Sequence, residues 1–236
     1  VAVNLVVAPL AVWLVLLPLG APEGLRQGLV LLAAAPMVSS AIAIAAILGL
    51  DSALAVAVMV ASYAVVPVTL PALSLWLLGL DLGGGFLDLF ARLFATIAVA
   101  AVILRRWIVP RAALIRNARA VDGLGVLFVV LFCLGIVDGL PAFAAERPDY
   151  VLLALGGTFA ANIGLQALGV VPFVRLGRRE ALTVGLGTGN TNLGLVLVTL
   201  ADTAPPELLV CFVVGQVPMY FLPVIALPVY RRLMRA

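Results

Sequence analysis

Long apolar runs separated by short polar connections dominate the chain, over approximately 3–19, 25–48, 52–79, 86–104, 121–140, 150–173, 181–200 and 207–230. A hydrocarbon core about 30 Å thick takes roughly 20 helical residues at about 1.5 Å each, so every run is long enough to span it once tilt and interruptions are allowed. The pattern predicts eight membrane-spanning helices and leaves no room for a separate soluble domain. Composition agrees: of 236 residues, 65% are hydrophobic and 11% charged, against about 25% charged in a soluble domain.

Charge then orients the spans. All 14 basic residues are arginines. They concentrate after the fourth run (Arg105, Arg106, Arg111, Arg116, Arg119), after the sixth (Arg175, Arg178, Arg179) and in the tail (Arg231, Arg232, Arg235). The alternate connections are acidic or mixed: Glu23 with Arg26, Asp81 with Asp88, Asp138 to Asp149, and Asp202 with Glu207. Arginine-rich connections stay on the cytoplasmic side. The bias therefore predicts an integral protein of the plasma (inner) membrane with both termini cytoplasmic, its arginines read as topology signals and not as a nucleic-acid surface. The start at Val1, directly in apolar sequence, suggests a piece of a longer protein.

Two spans are interrupted. In the second, Ala35-Pro36-Met37-Val38-Ser39-Ser40 puts a proline and two hydroxyls near mid-membrane; in the seventh, Gly185-Leu186-Gly187-Thr188-Gly189-Asn190-Thr191-Asn192 does so with glycines, threonines and asparagines. Broken helices are the expected product, with Pro36, Gly185, Gly187 and Gly189 as the breaking residues. Their freed backbone groups require protein or a water-filled cavity, which is where a substrate or ion sits in transporters of this kind. The span after each interruption carries a matching pair of prolines, Pro67 and Pro71 in one and Pro218 and Pro223 in the other. The block 3–79 thus resembles the block 150–230, and the two begin on opposite sides, as inverted repeats do. The expected fold is an all-α polytopic membrane protein with two broken helices crossing at the centre.

Polar residues inside the spans are the site candidates. Thr188 and Asn192 are four apart, as are Asn162 and Gln166, so each pair shares a helix face. Asn190, Thr191, Gln216, Ser39 and Ser40 complete the set. Amides and hydroxyls suit an anion through their N–H and O–H groups, or a cation through their oxygens. The competing role is adhesion between packed helices. There is no histidine, and Cys133 and Cys211 lie in apolar runs without an identifiable partner, so no acid/base pair, nucleophile or metal cluster presents itself and an enzyme is not expected.

At the two interrupted spans the chain resembles the bile acid:sodium symporter family. The stretch Gly28 to Pro36, then Leu50 to Val56 and the proline-bearing run to Gly79, is similar to the family's fourth and fifth helices. Arg178-Arg179-Glu180 through Val184-Gly185, then Gly187 to Asn190 and Leu193, is similar to its ninth. The resemblance covers nearly the whole chain. It implies a ten-helix fold of two inverted five-helix repeats, of which the present spans are the third to tenth. Residues 1–79 are then a three-span remnant of the first repeat and 80–236 the second, with a core domain from 1–79 plus 150–230 and a panel remnant at 86–140.

The implied function is secondary transport of a small organic anion, bile-acid-like or a metabolite carboxylate. The departures concern sodium. The serine and asparagine that follow the family's first break match Ala41 and Ile42, Met37 and Val38 replace its glycines, and its sodium-binding glutamate and glutamine match Gly185 and Gly189. Asn190 alone stays as a remnant of the sodium site, so weak or absent sodium dependence is expected, with no other cofactor. Alternative readings are an arsenite-type efflux carrier, for which no cysteine stands near the second-span break, and a receptor or structural membrane protein that moves no solute.

Overall fold

A computed structural model describes residues 1–103, 140–200 and 204–235, together with positions 106, 117, 127 and 131. The fifth apolar run and most of the arginine segment at 105–119 lie outside the described residues, as does Cys133. What is described is all helical apart from one isolated two-residue bridge. We number the helices α1 (Val3–Leu16), α2 (Glu23–Ala34), α3 (Ser40–Leu48), α4 (Ser52–Leu78), α5 (Gly83–Ile103), α6 (Leu140–Glu146), α7 (Pro148–Val170), α8 (Arg178–Gly189), α9 (Leu193–Leu200), α10 (Pro206–Ile225) and α11 (Leu227–Arg235). A tight 3-10 turn, Val171–Leu176, extends α7.

Among the described residues, four helices are long and apolar enough to cross a membrane unaided: Ser52–Leu78, Phe86–Ile103, Pro148–Leu176 and Pro206–Ile225. The core is mostly apolar, but the surface is apolar too and several amides and hydroxyls lie inside. Leu14, Val68, Trp76, Leu152, Val171, Phe221 and Val224 are each more than half exposed, while Asn4, Ser62, Thr158, Asn162, Thr188, Asn190 and Thr191 are buried. Apolar side chains outside and amides inside suit a bundle whose solvent is hydrocarbon. The chain is a multi-spanning helical membrane protein.

Helix ends follow from local chemistry. Asp51 caps α4, its carboxylate accepting from the amides of Ala53 (3.0 Å) and Leu54 (2.9 Å), which satisfies two orphan donors of the first turn. Gly49 and Gly79 close α3 and α4 in the left-handed conformation, where a side chain would be strained. The last apolar run divides at Ala226 into α10 and α11 instead of continuing to 230. Pro228 explains the division, because a proline ring clashes with the carbonyl four residues back, here that of Val224.

The described chain falls into two compact units, Val1–Gly83 with Arg147–Ala236, and Gly84–Glu146. The smaller contains most of α5 and α6. In α5, Phe86, Phe90 and Phe94 stack at four-residue spacing and Arg92 pairs with Asp88 at 2.6 Å. The larger unit carries both interrupted helices. In it α7 packs most extensively against α8 and α10, and α2 against α1 and α10.

Candidate functional site

Helix α2 stops at Ala34 because Ala35 precedes a proline, which disfavours the helical conformation. Ala35 is accordingly extended (φ −71°, ψ 151°). The second interruption comes later than the glycine pattern suggests: α8 stays helical through Gly189, and the break is Asn190-Thr191-Asn192. Asn190 leaves the helix at φ −106°, ψ 89°, and Asn192 starts α9 by accepting the amide of Leu195 on its Oδ1 at 3.1 Å. Asparagine favours such positions because its side chain offers the backbone local bonds that compete with helix.

The two breaks lie against each other in antiparallel fashion. Val38 N–H donates to the Asn190 carbonyl at 3.0 Å and Asn192 N–H to the Pro36 carbonyl at 2.6 Å, with Met37 opposite Thr191. Thr191 Oγ1 donates to the Leu32 carbonyl at 2.8 Å, one of those that the end of α2 leaves unpaired. Asn192 Nδ2 bonds the hydroxyl of Tyr63 on α4, and Ser62 Oγ beside it donates to the Met59 carbonyl at 2.7 Å and accepts the Met37 amide at 3.4 Å. The Val38 and Asn192 amides and the Asn190, Pro36 and Leu32 carbonyls are thereby met across the two breaks, and the Met37 amide by α4.

Helix α7 forms a polar wall along the same site. Asn162 Nδ2 donates to the Gly189 carbonyl at 2.7 Å, Gln166 Nε2 to Asn162 Oδ1 at 2.6 Å, and Tyr230 of α11 donates its hydroxyl to Gln166 Oε1 at 2.7 Å. Gly185, Gly187 and Gly189 act through closeness rather than by unwinding. A Cβ at 185 would stand 2.5 Å from Val170 Cγ2 and 2.7 Å from the Gln166 carbonyl; one at 189 would stand 2.5 Å from Gln166 Cγ and 2.9 Å from the Asn162 carbonyl; one at 187 would stand 2.8 Å from Met37 Sδ. These three glycines let α7 and Met37 press directly on the α8 backbone.

On another face, Thr188 Oγ1 lies 2.8 Å from Asn4 Oδ1 and 2.8 Å from the Val184 carbonyl. Asn4 sits in a wider π-turn, Val3–Val7, that opens α1. Asn4, Ser62, Tyr63 and Tyr230 were not among the sequence candidates. The readable signal is a polar atom within an apolar run, inside the third run for Ser62 and Tyr63 and at a run's edge for Asn4 and Tyr230.

The candidates therefore separate. Pro36, Asn190, Thr191 and Asn192 meet at the crossing; Asn162 and Gln166 line it from α7; Thr188 ties α8 to α1. Ser39 is exposed, and Gln216 is half-buried on α10 and takes no part in the bonds described above. Most polar groups at the crossing are engaged with protein. Among the described residues three buried atoms lack a partner near it: Asn190 Oδ1, Ser40 Oγ and Asn4 Nδ2. A carboxamide oxygen and a hydroxyl, one from each break, can accept from a solute donor or face a cation. The ends of α2 and α8 and the starts of α3 and α9 meet at the same place, so partial negative and partial positive helix ends both face the crossing.

Among the described residues no group of three His, Cys, Asp or Glu side chains could hold a metal ion. A separate groove of about 610 Å³ runs between α1, α2 and α7, lined by apolar side chains such as Val12, Leu16, Leu25 and Leu165; it has no group to hold a charged solute. No protein-family model matches the chain, and no curated protein matches it.

Proposed function

We propose that this protein is a secondary transporter that moves a small organic anion, and that the crossing of its two interrupted helices is where solute is recognised. The observation that carries the reading is the antiparallel pairing of the breaks through Val38 to Asn190 and Asn192 to Pro36. Irregular backbone at membrane depth is tolerated where it serves a cavity or a solute path, and a plain anchor has no use for two such breaks placed together. The order of elements supports an inverted repeat. A helix, an interrupted helix and a helix with two internal prolines occur twice, as α1, α2–α3, α4 and as α7, α8–α9, α10.

Sodium coupling is weak or absent in this reading. At the two positions matched to the family's sodium-binding glutamate and glutamine, Gly185 and Gly189, α7 occupies the space a side chain would need. A cation there would face neutral dipoles only, and its desolvation would go uncompensated by a carboxylate. The anion would be met by the Ser40 hydroxyl and Asn4 Nδ2, whose donors are unengaged, and by the starts of α3 and α9.

The test is flux. Purified protein reconstituted in liposomes is offered radiolabelled bile acids and small metabolite carboxylates, with sodium exchanged for choline at constant ionic strength. Saturable uptake that survives the exchange and falls at least about tenfold in Asn190→Ala, with the folded state retained, is the expected result. Uptake that requires sodium would overturn the coupling claim. No saturable flux of any carboxylate would overturn the transport reading.

A further inference from the structure

Helix α11 does not look like the end of a span. Its sequence, Leu227 to Arg235, sets Arg231 and Arg232 on an exposed surface beside Val229 and Leu233, which are 54% and 46% exposed, while Tyr230 between them is 6% exposed. A short helix with exposed arginines, exposed aliphatics and one buried aromatic is built to lie at the edge of a bilayer. It packs against α8 and α3. Met234 reaches within 3.6 Å of a Cβ placed at Gly49, so α11 also rests on the end of α3.

The neighbouring surface has the same character. The 3-10 turn after α7 exposes Val171, Val174, Arg175 and Leu176, and α8 begins with exposed Arg178. Among the described residues Arg175, Arg178, Arg231 and Arg232 form no ion pair within the protein. The acidic groups of the described residues nearest these arginines in the chain are placed elsewhere, Glu207 pairing with Arg147 and Glu180 folding back over Gly177, and Asp51 caps α4. Unpaired guanidinium groups beside exposed aliphatics are best matched in a bilayer by an anionic phospholipid, whose phosphate charge no headgroup cation balances.

Tyr230 connects this surface to the crossing. Its hydroxyl donates to Gln166 Oε1, Gln166 Nε2 to Asn162 Oδ1, and Asn162 Nδ2 to the Gly189 carbonyl at the end of α8. Its ring lies in the same buried cluster as Met37, Ala41 and Leu186, which come from both interrupted helices. If α11 lifts, Gln166 loses its acceptor bond, and the amide that holds the last carbonyl of α8 loses its backing.

We propose that α11 is a phospholipid-reading element: Arg231 and Arg232, with Arg175 and Arg178 on the adjoining edge, bind anionic headgroups, and Tyr230 passes the seating of α11 through Gln166 and Asn162 to the break at Asn190. Lipid favours the seated state because only that state, with α11 packed on α8, holds Arg231 and Arg232 beside the edge that carries Arg175 and Arg178 while Tyr230 stays buried on Gln166, and a ligand shifts an equilibrium only by such a difference. The inference stands apart from transport, since it concerns what holds the crossing together and not what passes through it.

The experiment compares the protein in nanodiscs of phosphatidylcholine with nanodiscs containing one part phosphatidylglycerol in three. Bound phosphatidylglycerol is counted by native mass spectrometry, and amide hydrogen exchange is followed over residues 186–195. Phosphatidylglycerol is expected to slow exchange at the crossing, and less so in high salt. Arg231→Gln with Arg232→Gln loses that slowing and about 30-fold in apparent headgroup affinity, at about a factor of five per arginine. Tyr230→Phe, which removes one oxygen, keeps the bound lipid but loses the slowing at 186–195. Equal exchange in the two bilayers, or a full response in the double arginine variant, overturns lipid reading. A full crossing response in Tyr230→Phe overturns the relay.

Discussion

Gly189→Ala tests the closeness of α7 to α8, and opposing effects must be weighed to predict its sign. Gly189 is helical, so alanine gains up to about 1 kcal/mol of helix propensity. Against this, the new Cβ would stand 2.9 Å from the Asn162 carbonyl and 3.1 Å from its Oδ1. The first of these is backbone and cannot rotate away, so α7 must move by roughly half an ångström to restore ordinary contact. Overpacking of this kind costs about 1–3 kcal/mol. The same movement lengthens the 2.7 Å bond from Asn162 Nδ2 to the Gly189 carbonyl, and an unmet buried group costs about 1–3 kcal/mol more.

The net is a loss of about 3 kcal/mol, or roughly 6–12 °C in thermal midpoint for a chain of this size. Tryptophan fluorescence during heating of the protein in nanodiscs reads it. Gly156→Ala is the matched control, because a Cβ at that position of α7 meets nothing within 4 Å, and it should leave the midpoint unchanged or raise it. A Gly189→Ala midpoint at or above that of the parent would refute the claim that the glycines exist for close packing.

Three further substitutions test separate parts of the crossing and its surroundings. Thr191→Val keeps shape but strips the donor from the buried Leu32 carbonyl, and the midpoint should fall by an amount equivalent to about 1–3 kcal/mol. In Asn192→Ala, α9 loses its cap and Tyr63 its amide partner; amide exchange at 193–195 should rise more than tenfold, and Asn192→Ser should recover the larger share, since serine also caps. Arg147→Ala removes a 3.6 Å pair with Glu207 whose side chains are 49% and 35% exposed. That change should stay within about 1 kcal/mol and shrink further in high salt; a greater loss would mean that its position over the Tyr150 ring matters more than the ion pair.

The helices are readable because hydrocarbon imposes one demand on a spanning element, and that demand is written as apolar length; four of them are long enough to cross unaided among the described residues. Seven of the eight predicted runs lie wholly or mainly in the described residues and correspond to helices or helix pairs. The break at Pro36 was equally plain, since proline acts on its own predecessor. The glycines place the second break too early, because glycine weakens a helix in isolation but α8 is held helical through Gly189 by the α7 wall, a contact with no local signature. The same limit explains Asn4 and Tyr230. Their roles depend on partners at Thr188 and Gln166, far away in the chain, and a single sequence carries no sign of which distant polar group will face which. Asn162 and Gln166 were legible as a pair because their spacing lies within one helix.

The paired breaks also constrain how the protein is made. Pro36 to Ser39 leaves the ribosome well before Asn190 to Asn192, so during synthesis the Val38 amide and the Leu32 and Pro36 carbonyls must wait without their partners, at several kcal/mol for each one exposed to lipid. A nascent chain ending after α4 holds a half-helix pair that has no stable place in a bilayer. Such a chain should linger beside the insertion machinery or in the company of a membrane chaperone until α8 and α9 arrive. A mutation that spares the first break but delays or misplaces the second would then be seen as degradation of the whole protein, although every residue of its first half is intact.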